Sequence, residues 1–265
     1  MITICLAGPT GWVGRSLVKA IGQSDKFELV SAVGNTSAGQ QLGELLGLPE
    51  LHLTVSSNVS EALKTPCEVF IDYTHPSVVK QHVIDALQQR VAVIIGTSGL
   101  TEDDFDEIDK LARNKGVGVL AAGNFAITAV LLQRFAMVAA RYVPHWEIID
   151  FAGAQKPDSP SATARELAAK LAEVRSPQID HPIEKTLGLR EARGGTVMGS
   201  QVHSVRLPGY VFSFEVDFGL PNERLMLRHD AGSSAEPYVS GTLLAAEKVN
   251  SYVGLRRGLD SVLEL

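Results

Sequence analysis

Short apolar runs alternate with longer segments whose apolar residues recur every three to four positions, up to about residue 122. Residues 2–7 have strand length, and Leu17, Val18 and Ile21 then repeat at helical spacing over 15–22. The alternation goes on to predict a strand over 27–33, a short helix over 61–64, a strand over 69–73 and a helix over 76–89 opened by Pro76. A strand over 91–95, a helix over 101–114 with a Thr101 and Asp104 capping pair, and a strand over 117–122 complete the series. Strands interleaved with helices of this size predict a parallel sheet, which binds ligands at the carboxyl ends of its strands. Residues 126–142 then predict a long helix, apolar enough to be buried. Residues 200–231 alternate at period two, with Phe212, Phe214, Val216 and Phe218 facing one way and Ser213, Glu215 and Asp217 the other. That pattern predicts a second domain with a largely antiparallel sheet, whose apolar face must be covered by a helix or by another subunit. A helix over 238–253 follows, and the tail 254–265 is expected to return to the first domain.

Between these regions, residues 147–172 join an apolar strand-length run to an Ala- and Leu-rich helix through a polar linker holding Lys156, Pro157, Asp158 and Pro160. Ser159 or Ser161 can cap the first turn. A helix N-terminus carries unpaired N–H groups and about half a positive charge, so with Lys156 beside it this seam is a candidate carboxylate site. An ordinary capped helix with a solvated lysine is the alternative.

The first strand runs at once into Gly8-Pro-Thr-Gly-Trp-Val-Gly14. Strand, glycine turn and helix in that order predict a dinucleotide site, with glycines admitting a pyrophosphate to the backbone. An acid at the end of the second strand would bind the ribose of NAD, but residues 33–37 are neutral. Asn35, Thr36 and Ser37 are able to hydrogen-bond either cofactor form, so NADPH or NADH is expected, with a slight lean to NADPH. Three further strand ends carry polar loops: Asp72-Tyr-Thr-His-Pro76, Gly96-Thr-Ser-Gly99 and Gly123-Asn-Phe125.

With 45% hydrophobic and 20% charged residues the composition is that of a soluble globular protein, and a net charge of −6 without charge runs argues against nucleic acid or anionic membrane as partner. Cys5 and Cys67 sit among apolar residues, as buried free thiols in a reducing compartment rather than a disulfide framework or metal site. The N-terminus lacks a basic segment before its apolar run, and no apolar run approaches the ~20 residues of a membrane span, so a cytoplasmic protein is expected.

These motifs together resemble the dihydrodipicolinate reductases of lysine and diaminopimelate biosynthesis, nearly end to end. Residues 7–14 look like the family's glycine turn, 72–76 and 96–99 like its nicotinamide-side loops, and 123–125 like its Ala-Asn-Phe junction between domains. Residues 202–209, 228–230 and 254–265 are similar to its C-terminal strands and tail. The resemblance implies an α/β fold, with a Rossmann-like cofactor domain (1–124 with 239–265) and an α+β substrate and oligomerisation domain (125–238) whose mixed, largely antiparallel sheet builds a homotetramer. It implies cofactor contacts at Gly8, Pro9, Thr10, Gly11, Trp12, Val13, Asn35, Thr36, Gly96, Thr97, Ser98, Asn124 and Phe125. A small anionic substrate is expected at Lys156, Ser161, Ala162 and Thr163, with Lys156 also catalytic.

One stretch departs from the family. Its pattern of a His-His pair, one further residue and His-Lys is here Ala152-Gly-Ala-Gln-Lys156, and every histidine is gone. General acid–base help is typically worth about 10²–10⁴-fold, so the change bears on chemistry. Three readings follow: reduction of the family substrate with Lys156 or water supplying the proton, reduction of a different imine in a roomier pocket, or a non-catalytic cofactor-binding or assembly protein.

Overall fold

The computed structural model describes residues 1–264. In chain order it contains β1 (Ile2–Ala7), α1 (Trp12–Gly22), β2 (Phe27–Val33), α2 (Leu42–Leu46), α3 (Val59–Ala62), β3 (Val69–Asp72), α4 (Pro76–Gln88), β4 (Ala92–Ile95), α5 (Glu102–Lys115) and β5 (Gly118–Ala121). There follow α6 (Ile127–Tyr142), β6 (His145–Ala152), α7 (Ala162–Val174), β7 (Gly195–Val197), β8 (Ser200–Arg206), β9 (Phe212–Leu220), β10 (Glu223–Ala231), α8 (Glu236–Lys248) and β11 (Gly254–Arg257). The chain divides into two compact units, Met1–Ile127 with the segment from Ala235 onward, and Thr128–Ser234.

The first unit is built on a sheet of order β11-β5-β4-β3-β1-β2, parallel throughout. Every residue of β3, β4 and β5 is buried, which is why they read as continuous apolar runs rather than as alternation. Helix α1 buries Leu17, Val18 and Ile21, and α4 buries Val79, Val83, Ala86 and Leu87. The capping box of Thr101 and Asp104 opens α5, and Gly116 in the left-handed region closes it. The tail adds β11 beside β5.

In the second unit the order is β10-β9-β6-β8-β7, with β6 and β8 the parallel pair. Trp146, Ile148, Asp150 and Ala152 face one side and register with Phe218, Val216, Phe214 and Phe212. Helix α7 packs on β6 and β8, the Thr128 hydroxyl lies 3.1 Å from His229 Nδ1 on β10, and Lys170 of α7 donates to Gln133 of α6 at 2.7 Å. Phe214, Val216 and Phe218 are thereby buried within one chain. Of the two covers expected for this apolar face, a helix or another subunit, the chain itself supplies the helical one. Helix α6 is not buried all round either, since Phe135, Val138 and Tyr142 are exposed; a helix lying on one sheet face hides only one stripe.

Candidate functional site

The turn after β1 is shaped for a phosphate. Gly8 has φ +83°, and a Cβ on it would lie 2.1 Å from the carbonyl oxygen of Tyr73, while a Cβ on Gly14 would lie 2.0 Å from the Gly8 oxygen. Gly11 is the N-cap of α1, and no side chain caps that first turn. Helix α1 starts at Trp12, three residues before the apolar spacing shows it, so the free N–H groups of its first turn follow directly on the glycines. They present donors and the positive end of the helix dipole, as a pyrophosphate requires. Pro9 is buried and Val13 half-buried. The Thr10 carbonyl accepts from Arg15 Nε at 2.8 Å. Trp12, 58% exposed, sets its ring edge against Tyr238 with centroids 5.6 Å apart.

Asn35 and Thr36 stand exposed beyond the end of β2. Ser37, expected beside them as a ribose partner, is turned inward and buried, its Oγ 2.5 Å from where a Cβ on Gly34 would sit, so it is withdrawn from any ligand. Next to the glycine turn, the ring of Tyr73 occupies the space a Gly96 side chain would need. Its hydroxyl lies 2.7 Å from Thr242 Oγ1, and burial holds the phenol above its ordinary range. Thr97 is half-buried and Ser98 exposed. Asn124 Oδ1 accepts from the Ala126 amide at 2.8 Å, and Phe125 is buried with its ring edge against Tyr73.

The seam between β6 and α7 lies in the second unit. Ser161 is the N-cap: its buried hydroxyl accepts from the Ala164 amide at 3.2 Å and is spent on the helix, leaving the exposed Ala162 and half-buried Thr163 at the surface of the first turn. Lys156 Nζ lies 2.7 Å from Asp158, whose carboxyl the ammonium holds below its usual range; both side chains are about one-third exposed. Lys156 and Asp158 are not the only full charges in the seam. Asp150 is fully buried, takes the Ser161 amide at 2.8 Å and pairs with Arg206 at 2.7 Å, while Arg206 also donates to the Asp158 carbonyl at 2.8 Å. Asp150 and Arg206 were missed, although an acid at an inward position of the alternating run Trp146, Ile148, Asp150, Ala152 is a signal for a buried ion pair. Ala152, in place of the first family histidine, is fully enclosed, and Gly153 faces the carbonyl of Tyr210.

Against known proteins, residues 2–125 match the model of the dihydrodipicolinate reductase N-terminus and residues 128–263 that of its C-terminus. The 4-hydroxy-tetrahydrodipicolinate reductase of Halalkalibacterium halodurans is 38% identical, with all of both chains covered. That of Geobacillus kaustophilus is 39% identical over 99% of each chain. A solved dipicolinate-bound dihydrodipicolinate reductase from Paenisporosarcina sp. TG-14 is 34% identical, with TM-score 0.90 over 99% of this chain and 100% of that one. An amine dehydrogenase from Mycobacterium smegmatis, at 15% identity over 96% of this chain and 94% of its own and TM-score 0.65, shares the fold. Full-length matches of this identity, on a chain with the glycine turn and the two-sheet architecture described above, make it a member of the dihydrodipicolinate reductase family.

Proposed function

We propose that the chain is an NADPH- or NADH-dependent reductase that adds a hydride to a C=N or conjugated C=C bond of a small cyclic carboxylate, of the 4-hydroxy-tetrahydrodipicolinate type. The observation that carries this reading is the cradle at Gly8 and Gly14, where any side chain would collide with backbone and the uncapped first turn of α1 faces outward. Gly8, Pro9, Thr10, Gly11, Trp12 and Val13 hold the pyrophosphate. Asn35 and Thr36 meet the adenosine ribose, and neutral partners there hold the preference between the two cofactors below tenfold, or about 1.4 kcal/mol. Bound here, reduced nicotinamide supplies the hydride. The substrate's anionic group is held by the first turn of α7, with Ala162 and Thr163, and by Lys156, which Asp158 keeps oriented. As the hydride adds to the ring, one proton is taken up; with no imidazole at 152, 153 or 155, the Lys156 ammonium or water delivers it.

The absence of any histidine from Ala152 to Gln155 favours a second reading, in which the same chemistry acts on a different cyclic imine. The relative solved with dipicolinate bound supports a planar dicarboxylate as ligand class. We further place the protein in the cytoplasm as a homo-oligomer; among the described residues no helix is long and apolar enough to cross a membrane. The oligomer uses the open side of the second sheet. There Glu147 registers with Gln201 on one side and Asp217 on the other, and Gln201 Nε2 and Asp217 Oδ1 are buried without partners. A tetramer in light scattering supports this, and a monomer refutes it. The activity is tested by following cofactor oxidation across a panel of cyclic imines headed by the family substrate. Silence across the panel with cofactor binding intact leaves a non-catalytic binding protein.

A further inference from the structure

We infer that Asp72 is the positioning residue for the reduced half of the cofactor, an inference that rests on the reductase reading above. In a sheet of this order the adenosine ribose lies at the end of β2 and the pyrophosphate at the turn after β1. The remaining half of a dinucleotide then extends the other way, over the carboxyl ends of β3 and β4. Asp72 is the last residue of β3 and is fully buried.

Its carboxylate gathers donors from three elements. Oδ1 accepts from Thr97 Oγ1 at 2.6 Å, Thr74 Oγ1 at 2.7 Å and the Thr74 amide at 3.1 Å, and Oδ2 lies 2.8 Å from His82 Nδ1 of α4. The Thr74 amide also donates to Thr97 Oγ1 at 2.7 Å, and the Gly96 amide donates to the Asp72 carbonyl at 2.9 Å. One side chain thus locks the loop after β3 to the loop after β4. The lock reaches the glycine turn as well, because the Tyr73 amide donates to the Ala7 carbonyl at 3.1 Å and the Tyr73 oxygen abuts Gly8. A helix dipole and glycines suffice to hold a pyrophosphate, but a flat ring that must present one carbon needs walls fixed to within about 0.5 Å. Asp72 fixes those walls without itself having an exposed atom.

The test is a titration of the full chain with NADH and NADPH, read by nicotinamide emission, beside titrations with ADP-ribose and its 2′-phosphate, which lack the ring. In Asp72→Ala the two ring-free probes are expected to bind within twofold of the parent. The emission change is expected to vanish, and kcat for cofactor oxidation to fall at least tenfold, with Asp72→Asn recovering most of both. Should the alanine variant fail to fold, Thr74→Val removes one hydroxyl donor and is expected to give the same pattern at threefold to tenfold. The inference is overturned if the folded variant keeps the parent's emission, or if ring-free probes and whole cofactor weaken alike, as a general loosening would produce. A parent that binds ADP-ribose without any nicotinamide emission change also overturns it and leaves the pyrophosphate cradle standing. A parent with the emission change but no turnover counts against the reductase reading alone.

Discussion

Replacing Arg206 by Met isolates the ion pair under the α7 seam. Asp150 is fully buried and the Arg206 side chain 16% exposed, with 2.7 Å between Nη2 and Oδ2. Removing one partner of a buried pair leaves an uncompensated charge and costs about 3–5 kcal/mol. Asp150 keeps the Ser161 amide at 2.8 Å and the Ser204 hydroxyl at 3.3 Å, so the lower end, about 3 kcal/mol, is expected. That is on the order of a hundredfold in the unfolding equilibrium of the second unit. The assay is urea unfolding followed by tryptophan emission in a Trp12→Phe background. Of the two tryptophans this leaves Trp146 of β6, which is 5% exposed and donates to Ser200 Oγ at 2.9 Å. With a slope of about 2 kcal/mol per molar urea the midpoint should drop by roughly 1.5 M. Adding Asp150→Asn should restore part of the loss, because no charge is then left buried. A drop under about 0.3 M, or a double variant no more stable than the single one, would refute the reasoning.

Three further outcomes are expected. Gly8→Ala should abolish cofactor binding in fluorescence titration, since the residue has φ +83° and no room for a methyl; affinity within threefold of the parent would contradict the cradle. Burial lowers the His229 pKa from its ordinary 6.5, so the unfolded chain takes up the proton first as pH falls. Its contribution to stability is therefore complete above about pH 6.5 and lost as pH drops through the folded value, and His229→Asn should flatten that limb of the stability curve. Lys156→Ala should leave cofactor affinity unchanged and lower kcat/KM tenfold to a hundredfold, the range for a lost charge-assisted hydrogen bond of about 1.5–3 kcal/mol, with Lys156→Arg restoring binding more than turnover. Unchanged kinetics in the alanine variant would return the residue to the solvated surface.

The first unit was legible because its central strands β3, β4 and β5 are buried on both faces and α5 carries its own caps at Thr101 and Gly116, so local sequence already contains those boundaries. The second unit was legible in its alternation but not in its cover. Phe214, Val216 and Phe218 announce a buried face, yet whether a helix or another chain buries it depends on where α6 and α7 return, which periodicity does not encode. At the candidate site, the glycine turn was visible because close backbone approach admits few residue types. The network around Asp72 was visible only as a polar loop, since His82 joins it from ten residues away along α4. Ser37 was misread for the converse reason: a polar residue beside exposed neighbours at a strand end can still turn inward, and Gly34 opens the space for it.

Hydride transfer itself is the most direct test of the proposed chemistry. Cofactor carrying deuterium at nicotinamide C4 on one face, mixed with the purified chain and 4-hydroxy-tetrahydrodipicolinate, should yield a ring-reduced product one mass unit heavier for one of the two labelled forms and unlabelled for the other. Oxidation of cofactor with no deuterium in the product from either form, or recovery of both compounds unchanged while the cofactor is bound, would contradict it.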